Sequence, residues 1–421
     1  VGKIALGATL ALGAVGFAGA SALAQSFERD RNVSVMERPR PEYDALGVPM
    51  GSFTAYPAAT VGVEYNDNVY ATTTATQDDT ILKGSAEMLV QSNWSRHFLS
   101  FFGVVSHDEY SDLSDENHTD YTLRADGRVD VVRSTTLGGS AVYQQLTEPR
   151  TSSSAPGGAA EPIQYSVTGF DGYGTYERGR ARFRVSSAFN EYDYDDAFSA
   201  AGAVLDQDFR DKDVWRSSLR SDFAVSPDTA LFFEAIYDER TYSLQPPAVT
   251  LARDSEGYEL LAGANFDITN LVRGEIGVGY VNQDYDNASL PSVEGVGLRG
   301  NVEWFPTQLT TVSFGASRTV EDSTVTGSSG YLSSNFTVNI DHELMRNVIL
   351  SANALYAEDD YEGIDRTDDR LGAGLGVTYY VNRYVGVSGT YNYLEQNTSG
   401  TAGGGTEYEV NRFGVSLRLK F

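Results

Sequence analysis

From Gly51 onward the chain alternates apolar and polar residues in one run after another, with polar stretches between the runs. Residues 411–421 show the pattern most plainly. Successive side chains of a strand point to opposite faces, so Phe413, Val415, Leu417, Leu419 and Phe421 share one face and Gly414, Ser416, Arg418 and Lys420 the other. A half-buried edge strand of a soluble protein has the same period. An apolar residue at every outward position, up to a terminal aromatic, suits a closed barrel in lipid, with the polar face on a wet lumen.

The first run opposes Ala59, Val61, Val63 and Tyr65 to Thr60, Gly62, Glu64 and Asn66. A polar loop follows, and Leu82, Ala86, Met88 and Val90 then alternate with Lys83, Ser85, Glu87 and Gln91 down to a tight turn at 94–97. The cycle repeats, with short turns at 133–136, 178–181, 226–229, 270–273, 305–308, 344–347 and 381–383. Between them lie longer loops at 151–161, 197–207, 287–293 and 397–406. Alternating short and long connections predict periplasmic turns and outer loops in an all-β, antiparallel up-and-down transmembrane barrel of about 18 strands. Both barrel ends then lie on the periplasmic side. Residues 98–105 are apolar on both faces, which predicts that Phe102 packs against a leader or loop inside the lumen. The weakest strand pattern is that of 311–317.

Aromatic positions sharpen the picture. Tyr65, Tyr143, Tyr237, Tyr280, Tyr356 and Tyr391 fall toward the loop ends of apolar faces, Trp94 and Trp304 near short turns, and Trp215 and Phe421 on the same outward faces. Two levels of amphipathic rings are expected where a bilayer meets water. Residues 1–24 predict a cleaved secretory signal: Lys3, a short Ala/Leu/Gly/Val run over 4–19, and Ala22-Leu23-Ala24 before Gln25. Residues 25–52, with Arg38-Pro39-Arg40-Pro41, read as a periplasmic leader or a segment entering the lumen, and 53–421 as the barrel.

Charge changes the functional picture more than composition does. The 421 residues carry a formal net charge of -27 with no Cys, which excludes disulfides and thiolate metal sites. Acid gathers at strand tops and outer loops, as at 191–196 and 358–362, where carboxylates can meet lipopolysaccharide phosphates through Ca²⁺ or Mg²⁺. No run has the spacing of a dedicated calcium loop, so no metal site is assigned. Cations instead fall on the lumen face: Arg124, Arg128, Arg182, Arg184, Arg216, Arg220, Arg273, Arg299 and Arg418, among Asp126, Asp222, Glu234, Glu275 and Glu303. Such a wall either braces itself by cross-strand pairing or sorts solutes by charge and size.

Catalytic chemistry is thin. His107 and His118 flank an outer loop with Asp108, Ser111, Ser114 and Asp120, but no motif fixes a nucleophile, so no enzyme and no cofactor is expected. No phosphate loop or basic, aromatic-interleaved surface points to nucleic acid.

Arg38-Pro-Arg-Pro-Glu-Tyr-Asp44, Tyr65-Asn-Asp-Asn-Val-Tyr70, Asn93-Trp-Ser-Arg-His97, Ala155-Pro-Gly-Gly158, Tyr258-Glu-Leu-Leu-Ala-Gly263, Ser329-Gly-Tyr-Leu-Ser333 and Asp341-His-Glu-Leu344 carry a resemblance. From Arg38 onward the chain resembles the putative β-barrel porin 2 family of outer-membrane proteins, alphaproteobacterial in the main and often tied to exopolysaccharide loci. The resemblance implies an outer-membrane channel for small polar solutes or saccharides, or alternatively a structural barrel in exopolysaccharide export or attachment. The closing strand also resembles those that the barrel-assembly machinery recognises.

Overall fold

Strand Phe53–Asn66 pairs on one side with Asp79–Ser92 and on the other with the final strand, Tyr408–Lys420, with Ala58 opposite Lys420 and Asn66 opposite Arg412. That last ladder closes an antiparallel sheet of 18 strands into a barrel, as the alternation predicts. The computed structural model describes residues 33–155, 158–245, 249, 252–402, 405 and 407–421. The signal expected over 1–24 lies outside the described residues.

The outward face is where a soluble protein would place its core. Phe413, Val415, Leu371, Leu375 and Phe170 are all exposed, which no aqueous surface tolerates as a continuous belt and lipid requires. Val272, the partner of Trp304, lies eight residues below Tyr280. That is about 27 Å along the strand, or roughly 20 Å of height at the usual tilt, close to the apolar band of an outer-membrane barrel. Buried apolar clusters sit on the lumen side of the outer mouth instead. One joins Tyr165, Val167, Tyr192, Tyr194 and Val214 to the loop residues Ala159, Ile163 and Ala197. Among the described residues no helix is long or apolar enough to span a membrane, and helix is confined to the single turns Ser114–Glu116 and Asp208–Arg210.

Some expected boundaries move. The turn placed at 305–308 falls at 308–309, because Val293–Thr307 continues through a register shift between Trp304 and Thr307. Pro306 has no N–H to give a ladder, and the irregularity sits where none is needed. The strand patterned weakly at 311–317 forms in full as Thr310–Asp322. Residues 397–400, expected in a loop, extend Val385–Gly400 beside Arg366–Tyr380, and Thr398 Oγ1 donates to Asp368 at 2.8 Å. Phe102 faces the lumen, half-buried.

Residues 35–38 and 41–44 form turns, and Val48–Met50 adds a short strand to Phe53–Ala55. Their contacts lie on the inner wall near the periplasmic turns. Val35, fully buried, donates its N–H to Thr311 Oγ1 at 2.9 Å.

Candidate functional site: the lumen and its two mouths

Between strands Ala181–Tyr194 and Val293–Thr307 four inward arginines and four inward carboxylates form one connected panel, its halves joined by Arg220 and Glu234 at 3.9 Å. Arg182 meets Asp222 at 3.3 Å, and Arg220 takes Asp222 at 2.9 Å and Glu275 at 2.6 Å. Arg299 reaches Glu234 at 2.7 Å and Glu259 at 3.5 Å, and Arg216 reaches Glu259 at 3.0 Å. Four guanidinium groups thus face four carboxylates, so the panel is neutral as a unit. The planar fork lets Arg220 span three strands and still engage carboxylates, which a lysine could not do.

Beneath that canopy lies an apolar pad that strict alternation hides. Phe232, Ile236 and Leu261 point inward and are buried, and the Arg220 guanidinium lies 4.1 Å from the Phe232 ring centre. The ring has room there because Gly263 and Gly277 carry no side chain. A Cβ on Gly263 or Gly277 would come within 2.6 or 2.8 Å of it.

Several other inward charges pair locally. Arg124 holds Asp126 at 2.7 Å, Arg128 holds Asp130 at 3.1 Å, Arg418 pairs with Glu87, and Arg273 pairs with Glu303 and with Glu37 at 3.4 Å. Arg184 stacks on Tyr173 at 4.0 Å.

Both mouths are narrowed from within. At the periplasmic end, Arg38 and Arg40 converge on Glu343 at 3.1 and 3.5 Å, and Tyr43 lies 6.2 Å from the Tyr380 ring. At the outer end, residues 148–155 reach across the lumen: Tyr408 of the final strand donates to the Thr151 carbonyl at 3.0 Å, and Arg210 grips fully buried Glu148 in two bonds of 2.8 and 2.9 Å. A second element enters beside it. Thr319–Asp322 and the facing end of Gly330–Met345 bend inward, so Val320 and Leu332 pack on Val281 and Val293. Asp322 then joins Lys212 and, at 2.6 Å, Arg240.

Residues 40–421 match the profile of the family described as putative beta-barrel porin 2. The chain belongs to that family. It is a porin-like β-barrel protein of the bacterial outer membrane. None of the curated proteins compared matches it. Among solved structures it is similar to outer-membrane protein OpdK of Pseudomonas aeruginosa, with 10% identity over 87% of this chain and 99% of that one and a TM-score of 0.44. OccAB4 of Acinetobacter baumannii gives 10% identity, 91% and 100% coverage and a TM-score of 0.45. The siderophore receptor PiuA of the same organism gives 11%, 89%, 82% and 0.46.

In this porin-family barrel Tyr65, Tyr143, Trp215, Tyr237, Tyr280 and Tyr356 are exposed on the outer wall toward the loops, while Trp94, Trp304 and Phe421 are exposed toward the turns. Tyr391 is half-buried against Phe413, with ring centres 4.8 Å apart. The histidines do not converge. His107 faces outward and bonds Thr119 at 2.8 Å, whereas His118 faces inward, 3.8 Å from Asp108. The Ser111 hydroxyl donates to the Thr80 carbonyl at 2.6 Å.

Sequence reasoning missed the outer-mouth pairs. Arg240, Arg366 and Arg370 are legible in hindsight as inward positions at strand tops, with Asp238, Asp368 and Asp359 as partners. Nothing in the sequence joins Glu148, in a loop, to Arg210, in a single helical turn 62 residues on.

Asp211, in the loop before Lys212–Ser226, accepts the Tyr194 N–H at 2.8 Å. Burial, with Asp193, Asp208 and Asp196 nearby, pushes its carboxyl up to about 6. A raised carboxyl binds its proton more readily folded than unfolded, so the charged form weakens the fold above about pH 6 and the penalty fades as pH falls toward 4. Asp211→Asn keeps the acceptor without the charge. Its urea midpoint is expected above wild type at pH 7.5 and level with it at pH 4; a variant weaker at pH 7.5 would contradict this.

Proposed function

We propose that this barrel is a passive channel through which small polar solutes or saccharides diffuse across the outer membrane. The observation that carries the proposal is the neutral, fully paired Arg/carboxylate panel on the lumen wall. Its charges hold one another rather than a fixed ligand, which suits transit better than tight binding. The inward-bent loop and hairpin limit the size of what enters. No observation among the described residues favours an export or attachment role over this one. The closing strand, alternating to Phe421, is the segment we assign to recognition by the assembly machinery.

Net charge sets the expected selectivity. With the wall panel balanced, the unpaired excess is acid near the outer rim, including Glu109, Glu239, Glu256 and Asp284 on the strand ends. A negative entrance concentrates cations and depletes anions within about a Debye length, near 10 Å at 0.1 M salt. In a planar bilayer the mature protein is expected to give discrete conductance steps, with a reversal potential of cation sign in a salt gradient that shrinks as salt rises. Stable silence from folded protein would overturn the channel reading, and a clear anion preference would overturn the selectivity.

A further inference from the structure

The ladder between strands Val293–Thr307 and Thr310–Asp322 ends at Leu298 opposite Arg318. Above that pair the two strands part. Thr319–Asp322 turns into the lumen, while the residues from Val293 upward from Leu298 stay with Val272–Tyr285. The parting leaves a groove of about 290 Å³ on the outer wall, with Leu298, Phe336 and Tyr356 along it, Arg318 and Ser334 between them, and Glu358 at one edge.

Arg318 is out of place there in two respects. Register puts it on the same face as Phe314, toward lipid. Among the described strand residues no other Lys or Arg faces outward away from the periplasmic turns. Its guanidinium has no hydrogen-bond or ion-pair partner among the described residues, and its Nε is buried without an acceptor. Glu358 does not supply one, because it accepts the Tyr356 hydroxyl at 3.1 Å, and that hydroxyl also reaches Asp369 at 2.8 Å.

A cation on the lipid face is costly at the middle of the bilayer and tolerable at its edge, where headgroup anions can meet it. The groove lies at that edge, beside Tyr280 and Tyr356 on the loop side, which is the outer leaflet. It joins an unsatisfied planar donor to an apolar trough, the two halves of a site for an acidic headgroup with acyl chains.

We propose that this groove binds lipopolysaccharide, with a lipid phosphate on the Arg318 guanidinium and an acyl chain along Leu298 and Phe336. The proposal rests on the outer-membrane location and not on the channel reading, so a silent barrel would leave it standing. Lipopolysaccharide is favoured over a phospholipid by the carboxylates around the groove. Glu358 and Asp369 repel a single bare phosphate, whereas a headgroup carrying several phosphates with bridging divalent cations can lie against them.

The test is native mass spectrometry of the detergent-solubilised full chain titrated with bisphosphorylated lipid A in Mg²⁺. Wild type is expected to hold lipid A, and Arg318→Gln to bind it about tenfold more weakly, the usual loss for a charge-assisted contact. Leu298→Trp, which fills the trough and leaves the charge, is expected to weaken it as well, so the proposal does not depend on one variant folding. Dephosphorylated lipid A should bind wild type and Arg318→Gln alike. Equal lipid A binding by wild type and both folded variants would overturn the site. Displacement of lipid A by equimolar phosphatidylglycerol, or by inorganic phosphate alone, would overturn the assignment to lipopolysaccharide.

Discussion

Deleting residues 33–46 is expected to raise single-channel conductance roughly twofold or more, because an 18-stranded barrel freed of an internal segment has room for an aqueous channel. The segment is not draped over the rim. Val35 is wholly buried, Arg40 donates to the Val35 carbonyl at 2.7 Å and so ties the turn to itself, and Arg38 and Arg40 share Glu343. Arg38 also donates to the Gln308 carbonyl, fixing the turn to the wall at a second point. Point changes are graded. Glu343→Gln removes the charge that both arginines use but keeps an acceptor, so it should raise open-channel noise before it raises the mean current. Unchanged conductance in the folded deletion would show that the segment lies clear of the ion path.

Arg240→Ala is expected to cost about 3–5 kcal/mol of stability, the usual penalty for stranding a buried charge. The Arg240 side chain is 5% exposed; it takes Asp238 at 2.9 Å, Asp322 at 2.6 Å and the Val320 carbonyl at 3.0 Å. It is therefore the rivet between the strand Thr229–Tyr242 and the inward-bent hairpin. Without it Asp238 loses its ion-pair partner and Asp322 keeps only Lys212. Lysine at 240 would retain the charge but not the fork that serves both carboxylates and a carbonyl, so its loss should be intermediate. Urea unfolding measures the cost. Limited proteolysis at 323–329 reports whether the hairpin has left the lumen, and protection equal to wild type in the alanine variant would sink the assignment.

How much of this was legible beforehand depends on period. Alternation at Phe413, Val415, Leu417 and Leu419 says which face meets lipid, and the rhythm of short and long connections yields the strand number, because both are local properties of the chain. Inward apolar residues were harder. Leu261 and Phe232 look like breaks in a polar face, and only the fold shows them roofed by Arg220. Partners across the lumen were illegible for a different reason. Glu148 meets Arg210 through a loop that reaches inward, and Asp322 meets Arg240 where a strand end bends inward, and no periodicity records either course. The outward position of Arg318 was within reach of the same alternation, but the weak pattern of its strand concealed it.

The ladder between Phe53–Asn66 and Tyr408–Lys420 joins the first barrel strand to the last. Every other main seam of the wall is made between neighbours in the chain, so hairpins can form one by one as the polypeptide arrives. This seam alone must wait for nearly the whole chain, and loop-closure entropy makes such distant pairing slow. Until it forms, two long edges with unpaired amides and carbonyls stand open, templates for other chains. The time between emergence of the first strand and arrival of the last is therefore the aggregation-prone interval in this protein's life, and the rate at which those two edges meet sets how long it lasts.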